Sequence, residues 1–201
     1  MQGLYLQKNA WAQGSLISNM SITMWTKAST RRKRIYSIIA VFIVALAVTA
    51  IGTLTPVSPE EANQISNELN QTVSTLNERG ALTQYIFGNN FLISLLMFIP
   101  VIGPLLGLFI MFNTGAAIGA IASASGFSPS LGLAALFLTP VAWLEFVAYS
   151  IAMAASVWLF WRLITRRGLR ELRVTCIFIS ICAVLLLVGA IVEVVLISAV
   201  G

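Results

Sequence analysis

The chain has 201 residues, 58% hydrophobic and only 9% charged, with a formal net charge of +5. Soluble domains carry roughly a quarter charged residues, so a water-soluble fold of this size could not hide so much apolar surface. Histidine and aspartate are absent, which excludes Ser-His-Asp and Cys-His catalysis, His-ligated zinc or haem, and Asp-based phosphoryl transfer.

Residues 1–34 mix polar and apolar side chains, include Trp11 and Trp25, and end in Arg31-Arg32-Lys33-Arg34. This basic N-terminal segment either rests on a membrane surface or hangs free as a cytoplasmic tail. Residues 35–55 are continuously apolar and form the first expected crossing. The stretch before them is too long for the basic leader of an ordinary signal peptide, so the span is read as uncleaved.

Residues 56–80 differ in kind. Ser58-Pro59-Glu60-Glu61 carries the marks of a helix start: a serine cap, a proline in the first turn and a glutamate three residues after the cap. Ala62, Ile65, Leu69, Val73 and Leu76 then recur every three or four residues among polar neighbours, and Gly80 supplies a stop. The spacing predicts a water-exposed amphipathic helix over 58–79. Its narrow apolar stripe either packs on the protein's own outer surface or docks a partner.

No charge occurs between Arg79 and Glu145. Pro100-Val101-Ile102-Gly103-Pro104 interrupts this apolar stretch, so it divides into helices over 83–99 and 104–125 joined by a tight turn. Residues 129–161 would make a straight helix of about 50 Å, longer than the ~30 Å hydrocarbon core. Pro140 divides it into a partial segment, 129–138, and a crossing from 140. The arginine-rich loop 162–173 leads to the last span, 174–199. The expected fold is therefore all-α: a polytopic helical membrane protein with about five transmembrane helices, one kinked or broken near Pro140. Residues 35–200 make a single membrane domain, with the amphipathic helix outside the cytoplasm.

Five crossings put the N-terminal segment and the 162–173 loop on one side. Eleven of the 12 lysines and arginines then lie on that side and Arg79 alone on the other, as the positive-inside rule prefers. The expected location is a plasma or inner membrane, with the N-terminus cytoplasmic and the C-terminus outside. Basic residues that flank apolar spans point to topology and not to nucleic acid.

Glu145 is isolated in apolar sequence, and an ionisable group there is either functional or hydrogen-bonded to a neighbouring helix. Glu193, near the end of the last span, is placed to reach the interface. Asn89, Asn90 and Asn113 are expected as buried amides that bond across helices. Gly103 with Gly107, and Gly115 with Gly119, form small faces suited to close helix packing. Cys176 and Cys182 sit six apart in one apolar run and point in different directions on a helix, so they are read as packing residues. No metal-ligand set, cofactor motif or nucleophile–base pair is visible, so neither a metal, a cofactor nor enzymatic activity is expected.

Phe87-Gly88-Asn89-Asn90, then Phe112-Asn113-Thr114-Gly115 with Gly119, then Pro140 with Glu145 five residues on, resemble the marks of the stage II sporulation protein M family. The similarity runs over roughly residues 30–200. Asn89, Asn90, Asn113, Gly115, Pro140 and Glu145 match the family pattern. Thr114 separates Asn113 from Gly115, and Val141-Ala142 stand where the family carries His-Gly, so a histidine partner for the glutamate is lost. The resemblance implies an envelope protein working in a complex, with peptidoglycan-remodelling partners for the founding member. The expected function is a non-enzymatic scaffold or accessory subunit. It would contact membrane lipids and either other membrane subunits or further copies of itself. The alternative is a permease with a polar intramembrane site around Glu145.

Overall fold

The computed structural model describes residues 30–165 and 168–200. The expectations for residues 1–29, and for Arg166 and Arg167, lie outside the described residues. The chain divides into two units, 1–37 and 38–201. In the first unit the described part is the opening of helix α1 (Thr30–Thr53), where the Ser37 hydroxyl donates to the Lys33 carbonyl at 2.9 Å. The helix starts at Thr30 and not at 35, because arginine and lysine are strong helix formers and propagate the span back through the basic cluster.

All regular structure among the described residues of the second unit is α-helical. Helix α2 (Pro59–Glu78) is the predicted amphipathic helix. The Ser58 side chain accepts from the Glu61 N–H at 3.2 Å, capping the first turn. At the other end Gly80 takes φ +63°, while Ala81 N–H donates to Leu76 and Gly80 N–H to Asn77. This pair of bonds closes the last carbonyls in a left-handed cap that a β-carbon would disfavour. The apolar stripe buries Ala62 and half-buries Ile65, Val73 and Leu76. Helix α2 packs on α4 (Ile102–Ala124) and on the start of α3 (Leu82–Met97).

Helices α3 and α4 form an antiparallel hairpin whose turn stays apolar. Val101 sits there at φ 70°, ψ −55°, and Ile102 N–H donates to the Pro100 carbonyl at 2.9 Å. This is the rare γ-turn, strained for a β-branched residue. Helix α4 starts at Ile102, two residues before the predicted 104, because Pro104 fits the first helical turn, where its missing N–H has no partner to lose. At 16 residues, or about 24 Å, α3 is shorter than the ~30 Å hydrocarbon core.

Helix α5 (Pro129–Leu138) and α6 (Pro140–Ile164) realise the predicted break. Thr139 is extended, its hydroxyl donates to Leu136 at 2.7 Å, and Trp143 Nε1 donates to the Phe137 carbonyl at 2.9 Å. Carbonyls freed by the proline are thereby re-satisfied inside an apolar environment. Helix α7 (Gly168–Val200) begins earlier than the predicted 174, so most of the expected loop is helical. Arg162 and Glu171 meet across this corner at 3.9 Å. Both cysteines are free; Cys182 is buried and Cys176 exposed.

Among the described residues, four helices are long and apolar enough to span: α1, α4, α6 and Glu171–Ala199 of α7. Helix α6 is central, burying Phe146, Tyr149, Met153 and Leu159. Large apolar side chains on the outer surface, such as Leu138 at 86% exposure and Val184 at 62%, find their solvent in lipid. The molecule is a polytopic helical membrane protein.

One bond holds the hairpin turn in place. Ser156 of α6 donates to the Ile99 carbonyl at 2.6 Å, and Gly103 N–H donates to the same oxygen at 2.8 Å. Ser156→Ala should lower resistance to unfolding in detergent titrations by about 1 kcal/mol. Ser150→Ala, whose hydroxyl bonds only its own helix at Phe146, should cost less.

Candidate functional site

The charge-isolated Glu145 lies on the second turn of α6, just past Pro140, and is half-buried. Asn90, near the middle of α3, donates from Nδ2 to Glu145 Oε1 at 2.5 Å. The neighbouring position, Asn89, is exposed. Adjacent residues on a helix point about 100° apart, so only one of the pair can face α6.

Tyr149 follows Glu145 by four residues, hence on the same face of α6, and is 4% exposed. Glu193 of α7 is half-buried and lies within electrostatic reach of both Glu145 and Tyr149. The polar layer is built on the α3–α6 contact of Asn90 with Glu145; Tyr149 lies one turn along α6 and Glu193 on the neighbouring α7, towards its far end. Chemically these residues offer two carboxyls, a phenol and an amide. It can hold helices in register, exchange a proton or cradle a cation. Tyr149 was legible from its spacing to Glu145. Glu193 joins the layer through the α6–α7 pairing, a tertiary fact, where Cys182 Sγ donates to Ala148 at 3.2 Å. Among the described residues no group of three metal-ligating side chains forms.

The remaining candidates do different work. Asn113 is exposed, and its Nδ2 donates to Phe109 of its own helix at 2.8 Å, so it makes no bond across helices here. That departs from the expected buried amide, because the face of α4 that looks inward is the one carrying Gly107 and Met111. Pro140 is exposed and opens α6. Val141 and Ala142, which follow it, are buried.

The glycines pack within the chain. A β-carbon on Gly115 would fall on the Thr49 carbonyl, and one on Gly119 on the Thr53 carbonyl. Gly52 of α1 meets the Phe112 carbonyl in return. Helices α1 and α4 therefore touch backbone to backbone. Gly103 lies against the Met97 carbonyl at the hairpin turn, and Gly107 against the side chains of Met153 and Met97. Thr49 and Thr53, both fully buried, return their hydroxyls to Ala45 and Thr49 at 2.9 Å, which lets polar residues sit in this contact.

No curated protein and no solved structure matches the chain. The family described as Stage II sporulation protein M matches residues 37–196. That match takes in α3, α4 and α6 and every residue of the polar layer. The protein belongs to the stage II sporulation protein M family.

Proposed function

We propose that this protein is a non-enzymatic scaffold or accessory subunit of a cell-envelope membrane complex. The supporting observation is α2. It is capped at both ends, carries Glu60, Glu61, Glu68 and Glu78, and leaves Leu69 of its apolar stripe 48% exposed. A helix this polar would not persist by its own propensity alone; its ordering against α4 presents a fixed surface to a partner. The charge count supports a position for that surface outside a plasma or inner membrane. The N-terminus is then cytoplasmic and the C-terminus outside, with α3 completing five crossings. The Asn90–Glu145 bond holds α3 and α6 in register beneath it. Lipids cover the apolar belt, and the partner is another membrane or envelope subunit.

A photo-crosslinking residue at Leu69 of the full chain in its native membrane should give one recurring envelope-protein adduct, identified by mass spectrometry. The same probe at the lipid-facing Leu138 should not. Adducts at Leu69 to lipid or to scattered proteins only would overturn the reading. So would a solute flux in vesicles that Glu145→Gln abolishes, which would favour the permease.

A further inference from the structure

Helix α4 packs against α1, α2, α3, α5 and α6, yet one stripe of its surface stays uncovered. Gly103 and Gly107 face Met97 and Met153, while Gly115 and Gly119 face the backbone of α1. That stripe faces outward. Ile102, Leu105, Phe109 and Asn113 recur at helical spacing, with Leu105 69% and Phe109 65% exposed. The ridge carries no charge and ends in an amide. Asn113 is the middle residue of a 23-residue span, so it stands at the depth where lipid offers no hydrogen-bond partner. Asn113 is exposed and its one bond is to Phe109, so an acceptor oxygen and a second N–H remain to be satisfied.

We propose that two copies of this chain pair in the membrane through this ridge, each Asn113 amide hydrogen-bonding the other. The occupant follows from geometry. A covering partner must be uncharged, must be apolar beside Leu105 and Phe109, and must bring a donor and an acceptor to mid-depth. A second copy meets all three conditions by construction. Both copies insert in the same orientation, so their two-fold axis runs along the membrane normal and sets residue opposite like residue at the same depth. An amide is both donor and acceptor, so Asn113 is its own complement across that axis. The small-residue faces, the usual route to helix pairing, are occupied within the chain and do not compete. The pairing goes beyond the scaffold reading and stands without it.

The test is energy transfer between donor- and acceptor-labelled full-length chains in phosphatidylcholine–phosphatidylglycerol vesicles, titrated by lipid dilution. Wild type should show a saturable dimer. Asn113→Leu, which suits lipid and keeps the fold, should weaken dimerisation about tenfold, and Asn113→Gln should largely restore it. Circular dichroism and thermal melts of each variant check folding. In a background lacking Cys176 and Cys182, oxidation should cross-link Asn113→Cys, and Phe109→Cys less, while Leu138→Cys stays monomeric. Transfer unaffected by Asn113→Leu, a monomer at every dilution, or cross-linking equal at Leu138 would each overturn the proposal.

Discussion

Gly115→Val should lower stability by about 3 kcal/mol, or prevent the native bundle from forming. The new β-carbon would land on the Thr49 carbonyl, a backbone atom that no rotamer change can move. Helices α1 and α4 would have to separate, and the reciprocal contact of Gly52 with Phe112 would open with them. Even Gly115→Ala should be costly. Gly88→Ala is the control, because nothing lies within 4 Å of a β-carbon there, and it should be close to neutral. Detergent-denaturation curves of the three variants in one lipid mixture decide the matter. Equal midpoints for Gly115→Val and Gly88→Ala would show that α1 does not touch α4 in the bilayer.

The second large effect belongs to the polar layer. Asn90→Leu should destabilise the protein by about 1–3 kcal/mol, since it leaves the Glu145 carboxyl without its donor in a desolvated layer. Asn89→Leu, one residue earlier and exposed, should change stability little. Replacing both partners, Asn90→Leu with Glu145→Leu, should recover much of the loss, because no unsatisfied group remains. A double-mutant cycle on unfolding free energy reads the coupling directly. Additive single effects would mean that Asn90 and Glu145 do not act as a pair.

Much of this was readable from the residues. Pro100 to Pro104 and Pro140 marked the two breaks, since proline stops a helix whatever its surroundings. Ser58 and Gly80 bracketed α2 by local chemistry alone. The glycine faces were legible as packing surfaces, but not which helix they would meet; α1 and its Gly52 are far away in sequence. Asn89 and Asn90 looked equivalent, because periodicity cannot tell which of two adjacent amides turns inward. The same limit put Asn113 inside, when the inward face of α4 was set by Gly107 and Met111 meeting α3 and α6. Glu193 was readable as a residue near a helix end; that its helix runs antiparallel to α6, Cys182 bonding Ala148, was not. Local stops and caps are written in short stretches, whereas facing and register depend on partners elsewhere in the chain.

The short, uncharged limb Leu82–Met97 has a consequence for biogenesis. With Gln84, Asn89 and Asn90 in 16 residues, it is too polar and too brief to be retained as a lone segment leaving the translocon. Its neighbour, Ile102–Ala124, is long and apolar enough, and the γ-turn at Val101 fixes the two limbs side by side. We expect the pair to partition together, with Asn90 left waiting for a carboxyl that emerges from the ribosome 55 residues later. The first of its polar bonds across distant helices is thus also a late one, closing only when the central helix arrives.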